Sequence, residues 1–273
     1  MIRKFWLVNK KNETWEFTDE QFFVFLNSPQ GLGFNKQLTL NRYGNVQVIE
    51  DMTDNFPSVQ GEVIFYDTAN EDRYLEYNSF VRFLSYSPLL FYYQLPIDED
   101  EEVEDTYVLE CDCTSLTKTE SKDNMLRCPI TFQGLSFWKG TEVSVTGSGT
   151  TYTLTNNGDF PQGFEITIKG TLENPYVLLT KNNDLYGEAK FIDSTSFDEV
   201  YINSNDGEQN LLLKQSNSIL PNPLSFQDLS ISNGSIYVTF VKLARGESTL
   251  TIGMDSGSIT SVNINFTPIY RSV

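Results

Sequence analysis

The sequence predicts a mainly β protein: an N-terminal antiparallel β domain with one core α-helix, followed by a β-sandwich. Three observations predict this class. Over most of the 273 residues, apolar positions alternate with polar ones or form short runs rich in Val, Ile, Thr, Phe and Tyr, broken by Asn, Gly, Asp and Pro. That is the pattern of strands and turns. One stretch has helical spacing: within Asp72–Leu84, the residues Tyr77, Phe80, Val81 and Leu84 fall at i, i+3, i+4 and i+7, which places them on one helix face. From Thr150 onward, Asn-Gly and Asp-Gly dipeptides separate short alternating segments, the turn chemistry of an antiparallel sandwich.

In chain order, residues 5–9 and 14–17 flank a polar turn, and a further apolar stretch ends at Leu26. This spacing suits a hairpin at the start of a sheet. Asn27-Ser28-Pro29-Gln30-Gly31-Leu32-Gly33-Phe34 reads as a loop, because Pro fixes φ and the two glycines permit positive φ. Residues 36–40 and 46–49 form strands on either side of a turn, and residues 59–66 form the strand before the helix. Thr68 and Glu71 have the spacing of a capping box, and Asp72 adds negative charge where the helix dipole favours it. Pro88 pushes Ser87 out of the α region, which ends the helix. Residues 89–95 continue apolar on both faces, as a doubly buried strand does. If this strand is a parallel neighbour of residues 59–66, the crossover is right-handed.

Residues 98–105 hold seven acidic side chains in eight positions, a density that repels itself and favours a solvated loop. Residues 106–132 read as a hairpin carrying Cys111, Cys113 and Cys128 on its strands. The polar break Gly147-Ser148-Gly149 sets the domains at 1–145 and 146–273, leaving open whether the last strand packs back on the first domain.

Composition narrows the function. With 39% hydrophobic and 14% aromatic residues the chain can build real cores, which excludes global disorder. A net charge of −18 opposes nucleic-acid binding, which rests on clustered Lys and Arg. There is no histidine, so Ser-His-Asp and Cys-His machinery and His-based zinc sites are absent. Three cysteines without histidine fall one ligand short of a closed zinc site and read as reduced structural thiols. The N-terminal residues lack the apolar run of a signal peptide, and no window approaches the roughly 20 apolar residues of a membrane span; synthesis in the cytosol and no membrane insertion are expected.

The order and spacing of PQGLGF after two short strands, VQGEVIFY before RYLEYNSFVRFL, and then PLLFYYQLP resemble the N-terminal domain of distal tail proteins from long-tailed phages of Gram-positive hosts. NNGDFPQGFEITIKGTLENPYVLL, and GESTLTIG before a terminal strand, resemble the galectin-like sandwich that ends those proteins. The resemblance covers nearly the whole chain; the acidic run at 98–105 has no counterpart in it. It implies a structural virion protein at the distal end of the tail, without enzymatic activity, catalytic residues, metal or cofactor. It further implies a hexameric ring of N-terminal domains joining the tail tube protein to tail-tip proteins, with the sandwiches holding receptor-binding proteins or accessory fibres.

On that reading, Ser28, Pro29, Gly31, Leu32, Gly33 and Phe34 are candidates for a subunit contact, and Arg82 faces away from the apolar helix stripe toward solvent or a partner. Two other readings stay open. The sandwich is a carbohydrate-binding module for host cell-wall glycans, with Trp138 and several tyrosines either stacking on sugar rings or filling a core. Alternatively, two of the many carboxylates form a glycan hydrolase.

Overall fold

The computed structural model describes residues 4–17, 24–43, 45–66, 72–95, 105–120, 125–192, 196–215, 218–220, 229–231, 234–238 and 242–273. Thr68 and Glu71, residues 98–104 of the acidic run and the turn at 121–124 lie outside them. The fold is mainly β, with two compact units: Met1–Thr141 together with Tyr270–Val273, and Glu142–Ile269. The second unit is thus inserted in the chain of the first.

In the first unit the elements are β1 (Lys4–Val8), β2 (Thr14–Glu16), β3 (Val24–Gln30), β4 (Asn35–Tyr43), β5 (Val46–Asn55), β6 (Ser58–Tyr66), α1 (Asp72–Leu84), β7 (Leu89–Gln94), β8 (Thr106–Leu116), β9 (Thr119–Glu120), β10 (Met125–Gly134) and β11 (Trp138–Lys139). The main sheet runs β2-β1-β7-β8-β10-β6-β3. β4 and β5 form a separate two-stranded sheet.

The helix covers the apolar face of this sheet. Phe80, Phe83 and Leu84 are buried, and the Phe80 ring lies 4.9 Å from Trp15, 6.0 Å from Phe17 and 5.7 Å from Phe65, centroid to centroid. Val81 is 41% exposed, which corrects its place on the core stripe. At 3.6 residues per turn it stands about 100° round from Phe80. The stripe is therefore centred on Phe80, and Phe83 takes the place expected of Val81.

Two further expectations change. In β7, Leu89, Phe91 and Tyr93 are buried, whereas Leu90 and Tyr92 are half-buried on the other face, where Tyr92 stacks on Trp6 at 4.9 Å. The strand is one-sided, not doubly buried. Nor are β6 and β7 parallel neighbours, since β8 and β10 lie between them. Those two strands bring Leu109, Cys111, Leu126, Cys128, Ile130 and Phe132 into the core, and they take the ladder positions that a direct crossover would have used.

Cys111 and Cys113 on β8 and Cys128 on the adjacent β10 are free thiols. Burial pushes Cys113 and Cys128 from the ordinary 9.0 up to about 11, and Cys111 further still.

The second unit contains β12 (Val143–Gly147), β13 (Thr151–Asn156), β14 (Glu165–Glu173), β15 (Tyr176–Lys181), β16 (Asp184–Ile192), β17 (Phe197–Asn203), β18 (Asn210–Gln215), β19 (Ser218–Leu220), β20 (Leu229–Ile231), β21 (Gly234–Val238), β22 (Gly246–Gly253) and β23 (Ser256–Phe266). They form two six-stranded sheets, β12-β23-β14-β17-β18-β19 and β13-β22-β15-β16-β21-β20. Ile166, Ile168, Val200 and Ile264 of the first sheet share one core with Leu154, Val177, Leu179 and Leu250 of the second, which makes the unit a sandwich. Between β15 and β16, Asn182 and Asn183 take φ of 51° and 70°, the two positive values of a type I′ hairpin turn.

All three tryptophans, Trp6, Trp15 and Trp138, lie in the first unit, so their fluorescence reports on its unfolding alone. Leu84→Ala lowers its stability by about 2–5 kcal/mol in a denaturant titration, and Val81→Ala by less than about 1 kcal/mol. The thiols add a pH dependence. Unfolded thiols ionise near 9.0 while folded Cys113 and Cys128 keep their protons to about 11. Their contribution to stability is therefore full below pH 9 and is lost as pH rises through 11. Alkylation of the native protein at pH 7 is correspondingly far slower than that of a free thiol, which a timed mass measurement checks.

Candidate assembly surface

All of the candidate contact residues except Arg82 lie at the end of β3 or on its connection to β4. β3 is the outermost strand of its sheet, and its pairing with β6 slips between Asn27 and Gln30. Ser28 occupies this bulge with φ of 48°, and Pro29 follows it. Ser28 and Pro29 therefore belong to an irregular edge strand and not to a loop. An edge bulge tolerates an unpaired residue and the missing proline N–H, which a central strand does not.

The two glycines have different surroundings. Gly31 has φ of 84°, and a Cβ there would lie 1.8 Å from the Ser58 carbonyl oxygen. Only glycine satisfies both conditions. Gly33 has nothing within 4 Å of a built Cβ. Leu32 between them packs half-buried against the first core, whereas Phe34 is 63% exposed.

Beyond Phe34 the chain enters the β4–β5 hairpin. Among the described residues, nine of the thirteen exposed large hydrophobic side chains lie between Phe34 and Phe56. Their faces follow from the register. Leu38 pairs with Met52 and Leu40 with Ile49 on one face, and the register shift after Thr39 is what brings Ile49 opposite Leu40. Tyr43 pairs with Val46 and Asn41 with Val48 on the other face, near the turn. One side of the arm is thus apolar along its middle and the other at its tip. Asn41 donates to the Glu50 carboxylate at 2.7 Å, and Lys36 stands 3.9 Å from Asp54 at the root.

Arg82 has a different neighbourhood. It lies exposed in the last turn of α1, near Tyr86, whose ring has the Lys11 ammonium 3.3 Å from its centroid. Hydrogen bonding from Lys11, and then from Arg82, holds the Tyr86 phenol below its ordinary value. The result is a small cationic corner. It is not part of the β3–β4 connection.

Sequence reading missed Leu38, Leu40, Val48, Ile49 and Met52 as surface residues, because an alternating strand pair ordinarily buries its apolar face. The available signal was that the apolar positions switch faces along the pair. Trp138 is corrected in the other direction. It is fully buried in the first unit's core, edge-on to Phe91 at 6.1 Å, and has no surface to offer a sugar. Among the described residues, no three His, Cys, Asp or Glu side chains gather as metal ligands, and no helix is long and apolar enough to cross a membrane.

Residues 4–135 match the family described as "Distal tail protein, N-terminal domain". The first unit is a distal tail protein domain. Searched against curated protein sequences, the chain has no match. Among solved structures, the fold of the chain is similar to the Dit (gp 19.1) protein of phage SPP1, described as a paradigm of hub adsorption apparatus in phages infecting Gram-positive bacteria. The TM-score is 0.63 at 14% identity, over 97% of this chain and 98% of that one. It is also similar to a chain of the phage p2 baseplate in its activated conformation with Sr, with a TM-score of 0.54 at 13% identity and 100% coverage of both chains. At these identities the likeness is one of fold.

The glycines separate packing from surface. Gly31→Val destabilises the distal tail domain by several kcal/mol, about 3 or more, through backbone strain and the clash with Ser58. Gly33→Val leaves its unfolding midpoint within about 0.5 kcal/mol of the parent. Tryptophan-monitored denaturation distinguishes the two.

Proposed function

We propose that this chain is a structural, non-enzymatic hub protein at the distal end of a phage tail, and that copies of it associate through the β4–β5 hairpin. The observation that carries the reading is the exposed apolar arm. A two-stranded hairpin is at best marginally stable alone in water, and a contiguous apolar surface of this kind marks an interaction site. The distal tail domain and the hub-like fold of the whole chain support the tail role.

A second copy is the occupant that best suits the arm. The arm and the β3 edge are different surfaces of one unit, so the contact is heterologous, and a heterologous contact that closes under rotation makes a ring. Ser28, Pro29, Leu32, Gly33 and Phe34 then lie beside the contact, and Gly31 shapes it from within. Six copies, a tail tube protein on one side, tail-tip proteins on the other and a receptor-binding protein or fibre on the sandwich complete the assembly. With a net charge of −18, DNA passing through such a ring is repelled and not bound.

Carbohydrate binding by the sandwich is the second reading. The register places Ser144, Asn265, Glu165 and Asn203 side by side across four strands, with Tyr201 in the next row. Such hydroxyl, amide and carboxylate groups suit sugar hydroxyls.

Light scattering and negative-stain imaging test the first reading. The parent assembles into closed rings. A Leu40→Asp, Ile49→Asp variant stays monomeric with an unchanged tryptophan-monitored unfolding midpoint. A parent that remains monomeric at high concentration and binds host cell-wall polysaccharide saturably would instead favour the second.

A further inference from the structure

The root of the hairpin is gripped by the segment that returns from the second unit. Tyr270–Val273 belongs to the first unit, and each of its described contacts has a definite place. The Tyr270 ring meets the Tyr107 ring of β8 edge-on, with centroids 5.3 Å apart. Arg271 Nε lies 3.0 Å from Asp54 Oδ2 near the end of β5, a close charge contact outside aligned hydrogen-bond geometry. The Val273 N–H donates to the Leu32 carbonyl just before β4, at 2.9 Å. Val273, Leu32 and Tyr270 all pack half-buried against the first core.

One end of the segment is therefore fastened to the body of the main sheet. Its other end touches both sides of the arm's root, the incoming chain at Leu32 just before β4 and the outgoing strand at Asp54. A tie that holds the chain on both sides of the root restricts how the arm pivots on the body, which a tie on one side would not do.

We propose that Tyr270–Val273 is a strap that sets the angle of the β4–β5 hairpin, with Arg271 as its positioning residue. The partly buried setting gives the pair more weight than a surface salt bridge. The Asp54 and Arg271 side chains keep only 20% and 34% of their exposure, and the carboxylate also faces Lys36. The remaining root contacts do not depend on Arg271. Phe56 meets Phe137 edge-on at 5.0 Å, and the Gly134 N–H donates to the Pro57 carbonyl at 2.8 Å. Loss of Arg271 accordingly frees the arm to swing without unfolding it. The consequence for assembly rests on the hairpin being the self-association surface. An arm held at one angle meets the next copy in one geometry, which favours a closed ring over open chains.

The strap also ties the two units by sequence. The residues that hold the arm directly follow the last residue of the second unit.

Hydrogen exchange on the full-length chain decides the matter. In Arg271→Ala, the amides of β4 and β5 exchange about fivefold faster or more, while those of β6, β7 and β10 and the tryptophan-monitored unfolding midpoint are unchanged. Asp54→Asn reproduces the faster exchange, and the double variant adds little to either single change, as expected of two partners in one contact. Under light scattering the Arg271→Ala variant needs several-fold higher concentration to form closed rings. Unchanged exchange in the hairpin of Arg271→Ala overturns the strap. Faster exchange with undiminished ring formation retains the strap and removes the hairpin as the assembly surface, so the two readings fail separately.

Discussion

An apolar sheet face has to be covered, and the way each part of this chain meets that requirement organises the whole molecule. In the first unit the cover is α1, whose Phe80 sits among Trp15, Phe17, Phe65 and Phe83. Aromatic rings bury large areas and interlock at defined angles, so a single helix turn packs on β2, on Phe17 just after it and on β6 at once. In the second unit the two sheets cover each other. The β4–β5 hairpin is the place where the described chain leaves apolar faces open to water, and that is why the proposed assembly surface lies on the hairpin and not on the helix.

Charge acts on a different scale from packing. The −18 excess is spread over a chain whose ion pairs are mostly exposed, and such pairs contribute little to stability. Its effect is on association. Like charge opposes nucleic-acid binding, and in the proposed assembly the apolar arm supplies a short-range attraction against the long-range repulsion between acidic copies. The acidic run joins paired strands: the Leu95 N–H donates to the Asp105 carbonyl at 3.1 Å, so the seven carboxylates belong to the connection between β7 and β8 and not to a linker between units.

Much of the fold was legible because its signals are local. The opening hairpin, the helix and its end near Pro88, the alternation in β14 and β23, and the turn at Asn182-Asn183 all rest on spacing or on the dihedral preferences of one or two residues. What failed needed a third dimension. Val81 fits a seven-residue helical pattern as well as Phe83 does, and only the position of the sheet places the stripe's centre at Phe80. Residues 89–93 are apolar at every position, yet Leu90 and Tyr92 face away from the core, with Tyr92 stacked on Trp6. Ser28 and Pro29 have loop chemistry, yet they lie in an edge bulge because β6 offers a partner up to Asn27 and again at Gln30.

By itself the sequence determined the class: strands by alternation, one helix by its period, the exclusion of histidine chemistry by composition, and the distal tail resemblance by the order of its segments. Tertiary structure alone decided which apolar residues are core and which are surface. Leu40 and Leu109 are the same residue type in the same kind of strand. One is 48% exposed and the other fully buried, because burial depends on what packs across a face, and that comes from residues far away in the chain. The same holds for the root of the hairpin, where Asp54 meets Arg271 across 217 positions of sequence. No local pattern encodes such a contact.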